Sequence, residues 1–148
     1  MLEINNTTKR KINSLKTKKI VEAWLRENQK SAWSVSLAIV GSRRMRRLNN
    51  DYRGIDKTTD VLSFSATGNG LNDKYLGEIV INIDEVDKAN KYLEVFSLKK
   101  PAEYIFNFLL VHGLLHLIGY NDEREVDRQK MLLLGEEFLQ TFYPSPVK

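Results

Sequence analysis

The sequence predicts an α/β (α+β) domain in which a four-stranded sheet is covered by helices, one of them buried and carrying histidines. Three observations predict it. Runs of β-forming residues alternate with amphipathic helical runs in the order β-α-β-α-β-β-α-α-α. The chain has 148 residues, 42% hydrophobic and 28% charged, which suits a single domain over residues 1–148 and excludes disorder and fibrous repeats. The stretch from Tyr104 to Tyr120 is mostly apolar yet contains Asn107, His112 and His116. It reads as a buried helix with a purpose, not as a membrane span, which needs roughly 20 apolar residues with few polar ones.

The elements follow in order. Leu2–Asn5 is a short first strand. Lys9 to Gln29 carries Ile12, Leu15, Ile20, Ala23 and Trp24 at roughly helical spacing among lysines and arginines, so it is expected to be amphipathic helix. Trp33 to Val40 alternates and is rich in β-formers, a strand. Gly41-Ser42 breaks it, and Ser42 is expected to cap a helix from Arg43 to about Tyr52. There Met45, Leu48 and Tyr52 share a face, leaving Arg43, Arg44, Arg46 and Arg47 around the rest. Asp60 to Phe64 and Leu76 to Ile83 read as strands joined by a turn-rich loop, Ala66 to Lys74. Asp84, with Asp87 three residues on, is expected to cap a helix reaching Phe96. Pro101 sits in the first turn of the histidine helix, which runs to about Ile118 and stops at Gly119. A last amphipathic helix spans Glu123 to about Phe142, with Val126, Leu134 and Phe138 among its apolar positions.

Composition narrows the chemistry. With no cysteine there is no disulfide framework, iron–sulfur cluster or thiol nucleophile, and any metal site must use His, Asp, Glu or backbone oxygen. The first residues, with Glu3 early and no apolar run after it, do not resemble a signal peptide, so a cytoplasmic location is expected. Charge is uneven: residues 1–50 hold 12 Lys+Arg against 3 Asp+Glu, and residues 51–148 hold 11 against 16. A basic half points to an anionic partner, nucleic acid first, although a solvated helix face would look the same.

The two histidines are four residues apart, in His112-Gly113-Leu114-Leu115-His116. At that spacing on a helix both imidazoles lie on one face and can reach one ion at about 2.0–2.1 Å. The other reading is a pair of core histidines bonded to backbone or water. Past the helix stop, Asn121-Asp122 follows, and a carboxylate there can fold back as a third ligand. Two histidines and a carboxylate with one open position is a catalytic zinc arrangement. Asp122 has alternatives: facing solvent, or capping the helix that starts near Glu123. The H-E-x-x-H motif of metallopeptidases needs Glu after its first His. That position here is Gly113, so peptide hydrolysis loses its base.

His112 to Asp122, HGLLHLIGYND, resembles the signature of the YbeY family of bacterial rRNA-maturation endoribonucleases, H-G-x-L-H-L-x-G-Y-D-H. His112, Gly113, Leu115, His116, Leu117, Gly119 and Tyr120 match it. Asn121 replaces an Asp, and Asp122 stands where the family has its third His. Leu48 to Phe64, LNNDYRGIDKTTDVLSF, is similar to the family's L-N-x-x-Y-R-G-x-D-x-P-T-D-V-L-S-F block with Thr58 for Pro, and Leu76 to Ile81 is similar to its L-G-D-I-x-I strand.

The resemblance implies a mixed sheet, a zincin-like layout, and a metal-dependent single-strand endoribonuclease. The implied work is 16S rRNA 3′-end maturation, ribosome biogenesis and ribosome quality control. Its partners would be rRNA and the ribosome or small subunit, with neither DNA nor membrane expected. The metal would be one zinc, with Mn²⁺ or another divalent ion as alternatives, held by His112, His116 and Asp122. The family's functional arginine falls on Arg53. The chemistry suits that: zinc lowers the pKa of its water to roughly 7, and Arg offers bidentate contacts to a phosphate gathering charge. Without the resemblance, Arg53 reads as a loop anchor bound to Asp51 or Asp56. Arg43, Arg44, Arg46 and Arg47 are candidates for holding the RNA backbone. Tyr52 and Phe64 fit core positions better than base-stacking ones. Asp60 is expected either to orient the Arg53 loop or to cap a turn. The remaining functional readings are a zinc metallopeptidase and a non-catalytic ribosome-assembly factor with a structural metal.

Overall fold

The structure, a computed structural model, describes residues 1–66, 74–96 and 98–144. Four strands form one mixed sheet: β1 (Leu2–Asn6), β2 (Ser34–Val40), β3 (Val61–Ser65) and β4 (Tyr75–Asn82). The order across the sheet is β1-β2-β4-β3. β1 and β4 both run parallel to β2, and β3 pairs antiparallel with β4 at the edge. Seven residues of the predicted loop, 67–73, lie outside those described.

Strand alternation sends side chains to two covered faces. Val35, Leu37, Ile39, Ile79 and Ile81 join the main core under α1 (Ser14–Glu27) and α5 (Ala102–Leu117). Val40, Leu62 and Val80 face the other way and pack with Met45 of α2 (Ser42–Arg53) in a smaller cluster. α5 lies against β3 and β4, and α6 (Glu125–Leu139) packs on α5. α5 is thus enclosed on most sides, and His112 and His116, half-buried near its end, are left facing a cleft. Among the described residues, no helix is long and apolar enough to cross a membrane.

Several local expectations change. α1 starts at Ser14, not Lys9, with the Asn13 side chain accepting from the Lys16 N–H. The preceding residues are held as a turn instead: Asn6 accepts from the Thr8 N–H and hydroxyl and donates to the Arg10 carbonyl. Such side-chain bonds compete with helix. Ser42 is not a cap but the first residue of α2; Gly41 holds the cap position, and the Ser42 N–H donates to Asp84 Oδ2 at 2.9 Å. Asp84 therefore serves the start of α2 and does not cap its own helix. The Asn82 carbonyl oxygen of the side chain does that, accepting from the Asp84 N–H at 3.1 Å. The expected helix to Phe96 is broken into α3 (Ile83–Val86), a 3-10 turn (Ala89–Tyr92) and α4 (Leu93–Phe96). Asp87 closes α3 and is bound by Arg10. Pro101 stands one place earlier than expected, at the cap of α5, and Gly119 stops that helix at φ 109. Val126 and Tyr52 are exposed, at 66% and 69%, instead of facing the core.

Candidate metal centre

His112 and His116 lie one turn apart near the end of α5, their ring centroids 4.8 Å apart and their planes 85° from each other. After Gly119 the chain turns back, fixed by the Tyr120 N–H donating to the Leu115 carbonyl. That reversal brings Asp122 over the face of the helix it has just left. Its Oδ2 is 3.3 Å from His112 Nε2 and 3.4 Å from His116 Nε2, and one donor atom from each residue lies within 4.8 Å of the others. Three donors about 2.0–2.1 Å from a tetrahedral ion stand roughly 3.3 Å apart. The two separations from Asp122 match that edge, and the third donor pair lies within 4.8 Å. The donor set fits a divalent ion.

The His116 tautomer suits ligation as well. His116 Nδ1–H donates to the Tyr120 carbonyl at 3.1 Å, which leaves its Nε2 lone pair for the cleft. Burial, reinforced by the neighbouring His116, holds the His112 pKa below its ordinary value, while Asp122 works in the opposite direction. A ligating imidazole must be neutral, so burial favours the binding form. Asp122 is not a helix cap: α6 begins at Glu125, and Arg124 occupies the cap position.

These three residues line a cleft of about 680 Å³ that also reaches Arg53, Asp60 and Arg128. Arg53 is the last residue of α2, exposed just before Gly54 ends the helix at φ 69. The anchoring role expected for it is filled otherwise. Asp56 is clamped by Arg46, with Nε–Oδ1 2.8 Å and Nη2–Oδ2 3.2 Å, and among the described residues Arg53 forms no ion pair. Arg43, Arg44, Arg46 and Arg47 are exposed on the same helix but do not line the cleft. Among the described residues Asp60 neither caps a turn nor binds Arg53. Its carboxylate accepts from the Tyr92 hydroxyl at 3.0 Å and lies 3.8 Å from Lys91 Nζ. Burial and that carboxylate push the Tyr92 hydroxyl pKa up, so it stays a donor.

Sequence reasoning missed Arg128, which reaches the cleft from α6. No motif marks it, because only the reversal after α5 swings α6 over the histidines. Gly113, the position of the metallopeptidase Glu, faces away from the cleft and onto the sheet. A Cβ there would lie 2.8 Å from Ile79 Cγ2 and 3.0 Å from Ser63 Oγ, and the Ser63 hydroxyl already donates to the Gly113 carbonyl at 3.2 Å. A glutamate at this place would have no room and no route to a metal-activated water.

Comparison with known proteins agrees with the geometry. The profile of the family described as Endoribonuclease YbeY matches residues 3–143. A protein of Aliarcobacter butzleri named Endoribonuclease YbeY is 33% identical over 143 residues, covering 96% of this chain and 92% of its own. One of the same name from Geobacillus thermodenitrificans is 35% identical over 150 residues, covering 95% and 92%. One from Nitratiruptor is 44% identical over 105 residues, covering 71% of this chain and 67% of its own. A Thermotoga maritima protein with a known solution structure shares the fold, with TM-score 0.60 at 23% identity over 99% of this chain and 94% of that one. Matched by the family profile across nearly its whole length and by relatives of at least 33% identity end to end, the chain belongs to the YbeY family.

Proposed function

We propose that this chain is a metal-dependent endoribonuclease that cuts single-stranded RNA in the maturation of the 16S rRNA 3′ end. The observation that carries the reading is the His112–His116–Asp122 cluster, its donors close enough to share one ion, in a cleft whose wall holds Arg53, an arginine with no ion pair among the described residues. His112, His116 and Asp122 hold the metal, most naturally zinc given two imidazoles and one carboxylate, with Mn²⁺ as the alternative. Bound there, the ion supplies Lewis acidity and a nucleophile at neutral pH. Arg53 donates to the non-bridging oxygens of the scissile phosphate and stays charged as negative charge gathers on them. Arg128 faces the same space from the opposite helix and offers a second cation to the RNA backbone. Arg43, Arg44 and Arg47 extend positive charge along α2 beyond the cleft.

The working context is the cytoplasm, with rRNA and the small ribosomal subunit as partners, and residues 1–148 act as one catalytic unit. The peptidase reading is disfavoured by Gly113, whose surroundings exclude the required base. Elemental analysis of the purified protein, run beside digestion of single-stranded RNA with and without chelator, tests the proposal. About one divalent ion per chain and chelator-sensitive cleavage are expected. Cleavage indifferent to chelator defeats the metal mechanism. Metal-loaded protein that binds rRNA without cutting it supports an assembly factor with a structural ion.

A further inference from the structure

Tyr52 occupies a place that the core does not explain. On α2, Met45 is fully buried and Leu48 packs beside it against the sheet, so the helix is already anchored. Tyr52 is one turn further on and 69% exposed. Among the described residues its aromatic neighbour is Phe64 of β3, edge to face, with centroids 5.3 Å apart and planes at 61°. That contact restrains the ring without covering it. Tyr52 and the adjacent Arg53 both line the cleft that holds His112, His116 and Asp122.

We infer that Tyr52, braced by Phe64, is the seat on which an unpaired nucleobase of the RNA stacks while Arg53 takes the neighbouring phosphate. This rests on the endoribonuclease reading above. A nucleic-acid strand offers a flat π-face and an anion at each nucleotide, and a cleft wall carrying a restrained aromatic beside the Arg53 guanidinium matches both. The ring has two rotatable side-chain bonds and is already held by Phe64, so little rotamer freedom remains to be lost on stacking. In a duplex each base is stacked on its neighbours and paired, so its face is not available. The seat therefore gives the cleft a physical reason to prefer single strands.

The test is fluorescence anisotropy of the zinc-loaded full chain with a short labelled single-stranded RNA, and with the same strand made abasic. Tyr52→Ala is expected to weaken binding of the intact strand by about 5- to 150-fold, the worth of one stacked base. Tyr52→Trp, which restores a ring, is expected to recover it. Affinity for the abasic strand is expected to be the same for all three proteins, and that comparison also exposes any variant that has merely misfolded. Equal affinity of wild type and Tyr52→Ala for the intact strand overturns the inference, as does an equal loss on the abasic strand. Cleavage is read separately. RNA bound in a Tyr52-dependent way but left uncut defeats the nuclease reading and leaves the seat standing, whereas RNA cut and bound alike by wild type and Tyr52→Ala does the reverse.

Discussion

Replacing Asp122 by alanine removes one of three donors from the cluster, and the loss is readable as stability. At free zinc 100 times the dissociation constant, binding to the folded chain stabilises it by about 2.7 kcal/mol. Losing a group that only orients a ligand costs roughly 10–100-fold in affinity. Asp122 Oδ2 lies 3.3 and 3.4 Å from the two Nε2 atoms, at ligand separation, so the top of that range is expected. At a hundredfold weaker affinity the same zinc contributes only about 0.4 kcal/mol. For a chain of 148 residues, each kcal/mol moves Tm by roughly 2–4 °C. The zinc-induced rise in Tm is therefore expected to fall from about 5–11 °C to about 1–2 °C. Differential scanning calorimetry of each protein with and without zinc makes the measurement. Comparing each variant with itself cancels the contact that Asp122 makes to His112 when no metal is bound. Asp122→His supplies an imidazole, which binds zinc at a similar distance, and is expected to restore most of the rise. A full zinc-induced rise in Asp122→Ala refutes the assignment of Asp122 as a ligand.

Arg53→Ala is expected to keep the zinc-induced rise in Tm and to slow RNA cleavage by about 100-fold or more, the usual cost of losing a donor to developing charge; wild-type cleavage returns Arg53 to a surface role. Joint removal of Arg43, Arg44 and Arg47 is expected to weaken RNA binding and lower the slope of log affinity against log salt by up to about 0.7 per lost contact, without touching zinc uptake. Gly113→Ala is expected to destabilise the fold by about 1–3 kcal/mol in urea titration, because its Cβ would press into Ile79 and Ser63; an unchanged midpoint means that α5 has slack against the sheet. The metal-free protein is expected to lose stability as pH falls below the ordinary histidine value of 6.5, since the unfolded chain takes up a proton that buried His112 resists. His112→Gln is expected to flatten that part of the pH profile, and an identical slope in both proteins refutes it.

The features that could be read from the sequence depend on short-range spacing. His112 and His116 are one helical turn apart, and Gly119 three residues later announces the stop; both needed only helical geometry, and both stand in the structure. The alternation from Trp33 to Val40 likewise stands in β2, where Val35, Leu37 and Ile39 join the main core while Ala38 and Val40 join the smaller cluster. The misreadings arose where a distant residue competes with a local one. Ser42 has the right chemistry for a cap, yet Asp84, far along the chain, reaches the start of α2. Tyr52 has the right spacing for a core face, yet Phe64 of β3 meets it edge to face without covering it, and the ring is left exposed at the cleft. Arg128 carries no local signature because its place depends on how the chain returns after α5.

The two glycines of the histidine motif show how one short segment builds the site from both ends. Gly113 lets α5 lie directly on β4 and β3, with the Ser63 hydroxyl bound to its carbonyl, which fixes the depth of the two imidazoles beneath the cleft. Gly119 takes a positive φ of 109 that a side chain resists, which turns the chain so that Asp122 arrives above them. A larger residue at the first position lifts the histidines; one at the second misdirects the carboxylate. Either error moves Asp122 Oδ2 away from the two Nε2 atoms that now lie 3.3 and 3.4 Å from it, so the cluster depends on the absence of two side chains as directly as on the presence of three.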